Sequence, residues 1–244
     1  MTRIICVMNQ KGGVGKTTTA INLGACLARA GFNTLVIDLD PQCNATSGLG
    51  EKPTDRHPFV VETPWNEAIR PTAWSCLSLL PGCRSIHDIR KMADDNPSQS
   101  ERMKEHLKTG FYAFDYVLMD SPPSLSPLTR TAIECSTQVL MPIQCEFFAM
   151  EGVSKMIPLI PKEKWYESGI LLTMVDPALE LTYEVESEVR NFFEDVVYQT
   201  VIPRDVAVAE ASSYGKPVLE YAPRSRGTRA YIELCMEVLE NEQG

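Results

Sequence analysis

The chain has 244 residues, 44% of them apolar and 23% charged, an ordinary balance for one folded α/β domain with a single core. Its net charge of −9 excludes a general electrostatic attraction to nucleic acid or anionic membrane, so any such contact needs a local basic patch. No stretch approaches the roughly 18 consecutive apolar residues of a transmembrane helix, and the apolar N-terminal run leads straight into a glycine loop, as a buried first strand does and a signal peptide does not.

In chain order, Ile4 to Met8 is predicted as a strand, Gln10 to Gly15 as a loop, and Thr17 to Ala30 as a helix closed by Gly31. Thr34 to Leu39 is a second, near-continuously apolar strand, the pattern of a strand buried on both faces. Residues 50 to 75, with Pro53, Pro58, Pro64 and Pro71, are expected to form a surface excursion. Leu77 to Leu80 is a short strand, Ser98 to Lys108 a polar helix, and Tyr116 to Met119 a strand ending in Asp120. Pro127 to Cys135 is a helix with Ser126 as N-cap and Pro127 at its first position. Strands follow at Gln138 to Met141, Ile170 to Met174 and Thr200 to Ile202, with helices at Thr182 to Phe193 and Thr228 to Leu239. The alternation predicts one α/β domain over residues 1–244: a doubly wound, mostly parallel sheet with helices on both faces.

The segment that carries chemistry is Lys11-Gly12-Gly13-Val14-Gly15-Lys16-Thr17-Thr18, between a strand and a helix. Gly15, Lys16 and Thr17 fit the P-loop pattern, but Gln10 stands where its first glycine is expected, and Lys11 is an additional lysine. Glycines let backbone N–H groups, here including that of Val14, curl around phosphate oxygens, and the following helix turns its positive end to the same charge. Lys16 supplies a mobile cation, and the Thr17 hydroxyl is a hard ligand suited to Mg²⁺. Asp38-Leu39-Asp40-Pro41-Gln42 places two carboxylates at the end of the second strand, where the ligand crevice of a parallel sheet lies. Val117-Leu118-Met119-Asp120-Ser121-Pro122-Pro123 ends a third apolar strand in an aspartate of the kind that holds Mg²⁺.

The glycine octapeptide resembles the deviant Walker A motif of the ParA/MinD group of P-loop ATPases, and Asp38 to Gln42 is similar to the group's D-x-D-P-Q, followed by Asn44 to Gly50. Pro142-Ile143-Gln144-Cys145-Glu146, Val201-Ile202-Pro203-Arg204-Asp205 and Gly215-Lys216-Pro217-Val218 extend the likeness to the ParA/Soj branch over nearly the whole chain. The resemblance implies an ATP/ADP- and Mg²⁺-binding switch, cytoplasmic, that forms a homodimer with ATP bound and drives partitioning or positioning of DNA or a protein cargo. It implies that Lys11 reaches the partner subunit's nucleotide, that Asp40 is needed for hydrolysis, and that Thr17, Asp40 and Asp120 serve the metal. It places Pro203, Asp205 and Met174 near the adenine, with Asp205 where the family has asparagine. It also implies slow hydrolysis until a ParB-like partner acts, and no membrane helix at the acidic end Glu240 to Gly244.

The likeness fails at the expected DNA-binding arginines, where Ala178 and Ala207 stand. Between Asp176 and Ala222 there are ten acids and only Arg190, Arg204 and Lys216, a balance that repels a duplex. Arg224, Arg226 and Arg229 are the remaining candidates for a basic patch, which would add association with the nucleoid. The alternative expectation is a ParA-like switch that has lost DNA binding and acts through a protein partner. Eight cysteines without a C-x-x-C pair, and three histidines outside ligand spacing, argue against zinc and against an iron–sulfur electron donor. Lys16, Thr17, Asp40 and Asp120 together argue against a scaffold without turnover.

Overall fold

A computed structural model describes residues 2–58, 63–85, 105, 111, 113–146 and 149–241. Its sheet has eight strands in the order β3-β4-β2-β5-β1-β6-β7-β8. They are β1 (Arg3–Val7), β2 (Thr34–Asp38), β3 (Arg70–Pro71), β4 (Leu77–Leu80), β5 (Tyr116–Asp120), β6 (Gln138–Gln144), β7 (Gly169–Val175) and β8 (Val197–Pro203). All neighbours are parallel except β3, which runs antiparallel to β4. The central strands β2 and β5 are buried at every position, which is why they read as unbroken apolar runs rather than alternating ones.

One apolar layer joins Ile4, Ile37, Met119 and Leu172 to α4 (Pro127–Cys135), α5 (Ala149–Met156) and α6 (Glu180–Phe193). The other joins Val7, Val36, Leu118 and Leu171 to α1 (Lys16–Arg29) and α9 (Arg226–Glu240). Alternate residues of the same strands therefore feed opposite layers, as the pleat requires. Short helices α2 (Asn44–Gly48), α3 (Trp65–Ala68), α7 (Val206–Ser213) and α8 (Val218–Tyr221) complete the framework.

Local chemistry sets the helix ends. The Ser126 hydroxyl accepts from Thr129 N–H at 3.2 Å and Pro127 opens α4, while the Ser225 hydroxyl accepts from Thr228 N–H at 3.1 Å to cap α9. At the β8 edge, Glu237 accepts from the N–H groups of Gln199 (2.6 Å) and Thr200 (2.9 Å). Arg190 donates to the carbonyls of Tyr198 (3.0 Å) and Gln199 (3.2 Å), so side chains occupy groups that would otherwise template another strand.

The described part of the expected surface excursion at residues 50 to 75 is exposed or half-buried at most positions, and it carries some regular structure. It contains α3 and β3, His57 is wholly buried, and Trp65 packs edge-on against Phe111 with centroids 5.1 Å apart. Pro53, Pro64 and Pro71 are exposed and Pro58 is half-buried, while His57, Thr63, Trp65 and Ala68 anchor the segment to the fold. The polar helix expected at Ser98 to Lys108 lies outside the described residues apart from Glu105, which is helical.

Candidate active site

The chain passes from β5 to β6 on opposite sides of β1, so the strand order reverses around the C-terminal end of β1. A crevice opens at such a point in a parallel sheet. There the structure holds a cleft of about 520 Å³. Gly12, Gly13, Gly15, Lys16, Thr17 and Thr18 form one wall, Leu39 to Gln42 and Asn44 a second, and Pro122 to Ser124, Ser126 and Leu128 a third.

The phosphate-loop wall owes its shape to backbone that only glycine adopts freely: φ is +76° at Gly13 and +91° at Gly15, which is also the N-cap of α1. Asn9, 4% exposed, fixes the loop entrance by accepting from Lys11 N–H at 2.9 Å and donating to the Pro142 carbonyl at 2.7 Å. Val14 lies behind the loop; its carbonyl is 2.9 Å from the Thr173 hydroxyl, itself 3.0 Å from the Ile143 carbonyl. Thr173, on β7, is a support that sequence reading missed, because nothing within its own segment signals a partner 159 positions away.

Lys16 is largely buried, with its Nζ donating to the Lys11 carbonyl at 3.0 Å. Burial lowers its pKa, while the nearby charges of Asp120 and Asp40 pull the other way. The Thr17 hydroxyl donates to Asp120 Oδ2 at 2.7 Å, whereas Asp120 Oδ1 is buried without a hydrogen-bond partner. Asp38 and Asp120 occupy matched positions on adjacent strands. Burial raises the Asp120 pKa well above the usual carboxylate range, and the Asp38 charge adds to this. Burial likewise holds Asp38 up at about 6, against hydrogen bonds from Thr46 and Asp40 that lower it. An orphaned buried carboxylate oxygen beside a threonine hydroxyl is what a divalent cation, or water bound to one, would satisfy. Among the described residues no cluster of three His, Cys, Asp or Glu side chains could hold a metal unaided. Magnesium fits here through Thr17 and Asp120 with water and phosphate oxygens completing its shell.

Asp40 lines the cleft at the end of β2, its Oδ1 accepting from Gln42 N–H at 2.9 Å. Met174 also lines it, in left-handed backbone (φ +53°) where the β7–β8 register shifts, a strained geometry for a non-glycine residue. Lys11 is not among the residues lining the cleft and pairs with Glu146, two residues past β6. Pro203 and Asp205 are not part of the cleft wall. Asp205 instead joins two helix starts, accepting from Ala207 N–H at 2.9 Å on α7 and from Gly227 N–H at 2.8 Å on α9. All eight cysteines are free thiols, and only Cys76 is exposed.

A family model described as an AAA domain matches residues 2–170. The sporulation initiation inhibitor protein Soj of Bacillus subtilis is 41% identical over 99% of this chain and 100% of its own length. The chromosome partitioning protein ParA of Myxococcus xanthus is 38% identical over 98% of this chain and 89% of its own. The crystal structure of cobyrinic acid a,c-diamide synthase from Mycobacterium smegmatis with bound ADP and magnesium superimposes with a TM-score of 0.83 at 29% identity, covering 100% of this chain and 96% of that one. A lysine-bearing glycine loop at the switch point of a parallel sheet, and full-length identity with these relatives, lead to one conclusion: the chain belongs to the Soj/ParA family of chromosome-partitioning P-loop ATPases.

Proposed function

We propose that this protein binds ATP with Mg²⁺ in the cleft, pairs with a second copy in the ATP state, and hydrolyses ATP to ADP and phosphate to release that pair. The observation that carries the reading is the Thr17–Asp120 hydrogen bond with Asp120 Oδ1 left open beneath the glycine loop. Backbone N–H groups of residues 12 to 18 and Lys16 would hold the phosphates, Thr17 and Asp120 the cation, and Asp40 the attacking water. Magnesium would neutralise charge on the transferred phosphoryl group. Lys11 would leave Glu146 and reach the nucleotide of the other subunit. Among the described residues nothing else lining the cleft supplies a mobile cation, so turnover should be slow until an activating protein, ParB-like in the family's terms, completes the dimer. Met174 is the side chain best placed for the base; Asp205 serves it only indirectly, through the two helix starts it joins.

The output is partitioning or positioning of DNA or of a protein cargo in the cytoplasm. A specific observation favours a second reading, in which DNA contact is weak and a protein receives the signal. Ala178 lies in an exposed turn closed by the Asp176 carboxylate at 3.0 Å, and Ala207 in the first turn of α7 against Asp205, so both sites face acid rather than presenting a base. Against it stand Arg204, Lys216, Arg224, Arg226 and Arg229, all exposed and, among the described residues, in no ion pair. Sedimentation of the Asp40→Ala protein with duplex DNA, in ATP and in ADP across a salt series, decides between them. ATP-dependent binding that weakens steeply with salt supports the DNA reading. A confirmed dimer that leaves DNA in solution supports the protein partner.

A further inference from the structure

One layer behind Asp40 lies a second polar cluster, closed to solvent. Asp38 and Thr46 are both 0% exposed, and Asp40 in front of them 8%. Asp38 Oδ1 accepts from Asp40 N–H at 3.2 Å. Asp38 Oδ2 accepts twice from one residue of α2, from Thr46 N–H at 2.8 Å and the Thr46 hydroxyl at 2.6 Å. The hydroxyl has a single proton, committed to Asp38, and its oxygen accepts in turn from Gly82 N–H at 2.7 Å. The end of β2, the helix after Asp40 and the loop after β4 thus meet at one carboxylate. The fit is tight: a Cβ on Gly82 would lie 2.9 Å from Asp38 Cγ.

We propose that Thr46 is a positioning residue for hydrolysis. Its hydroxyl fixes the Asp38 carboxylate, which holds the Asp40 backbone and so aims the Asp40 side chain into the cleft. Removing the hydroxyl leaves Gly82 N–H buried without its acceptor and Asp38 with one fewer charge-assisted bond. The carboxylate then turns, and the Asp40 turn moves with it. Thr46 does not itself line the cleft, so nucleotide binding, which depends on the glycine loop, is spared. This inference rests on the reading of Asp40 given above.

The test is steady-state ATP hydrolysis by the full chain, with ATP binding measured alongside, for Thr46→Val, Thr46→Ser and Asp40→Ala. Thr46→Val keeps the shape without the hydroxyl. Its kcat should fall about 10- to 100-fold, the scale of a misplaced reacting group, while KM and ATP affinity hold. Thr46→Ser, which keeps the donor and acceptor, should recover most of the rate. Wild-type kcat in Thr46→Val beside an inactive Asp40→Ala overturns the positioning role. Equal losses in the serine and valine proteins, or loss of ATP affinity with kcat, overturn it as well by showing a merely structural part. Wild-type turnover in Asp40→Ala removes the Asp40 reading itself. Should Thr46→Val not fold, Gly82→Ala pushes the same carboxylate from the other side and is judged by the same split between kcat and KM.

Discussion

Replacing Lys16 with alanine separates the phosphate-binding role proposed for this lysine from its place in the fold. The residue is 7% exposed, and its ammonium donates one hydrogen bond, to the Lys11 carbonyl at 3.0 Å. Losing that bond costs about 1 kcal/mol, and relief of the buried charge offsets it. The nucleotide-free variant should therefore melt within a few degrees of wild type. The liganded protein behaves differently. With Mg·ADP at roughly 100 times Kd, binding to the folded state alone adds about 2.7 kcal/mol. For a chain of this size that raises Tm by about 5–11 °C. Lys16→Ala should lose that rise entirely, because among the described residues no other cation lines the cleft. Paired thermal melts with and without Mg·ADP, read by circular dichroism, give both numbers. A variant that keeps the ligand-induced rise refutes the assignment of Lys16 to the phosphates. One that melts more than about 10 °C lower without ligand shows that the lysine is structural.

Asp40→Ala should keep ATP affinity and remain dimeric in ATP, with phosphate release down about 100-fold or more; light scattering with a phosphate assay checks it, and wild-type release rejects it. Asn22 accepts from Val218 N–H at 2.7 Å and donates to the Thr18 carbonyl at 2.8 Å, tying α8 to the helix of the phosphate loop. Asn22→Ala strands a buried N–H and should cost about 2–3 kcal/mol by urea unfolding; a midpoint unchanged from wild type counts against that link. His57 is wholly buried and its pKa is pushed down to about 3 from 6.5, so it contributes stability that is complete above 6.5 and lost as pH falls through 3, about 5 kcal/mol in all. Without nucleotide, Asp38 acts in the opposite sense: held at about 6, it contributes stability that is lost as pH rises from 3.8 through 6, about 3 kcal/mol. His57→Leu should flatten the acid limb of stability between pH 7 and 4, and an unchanged limb would show that His57 does not drive it.

What was legible in the sequence is what lies contiguous in it. The glycine loop, the strand before it and the helix after it are one segment whose spacing is its geometry, so the loop could be read as one wall of the cleft, although Lys11 and Val14 do not line it. The strands ending in Asp38 and Asp120 could be read because a strand buried on both faces leaves an unbroken apolar run. Helices α2, α5, α7 and α8 were not resolved, since short helices of mixed polarity carry too few turns for a period to stand out. The prolines of residues 50 to 75 marked a largely exposed segment, but not the short α3 and β3 within it or the burial of His57 and Trp65, because prolines mark breaks in regular structure and do not name the anchors between them.

The amino-acid order by itself determined the groups on which the proposed nucleotide chemistry rests: which lysines, which hydroxyl and which carboxylates are present, and that the loop opens a helix. Only the tertiary structure decided how these groups stand to one another. It brought Asp120 under Thr17, set Asp38 level with it, sent Lys11 to Glu146 and withdrew Asp205 from the cleft wall into a double helix cap. It also built the supports, Thr173 against Val14 and Thr46 against Asp38 and Gly82. Those contacts join segments far apart in the chain, and they exist because parallel strands need long crossovers, so neighbours in the sheet are seldom neighbours in sequence.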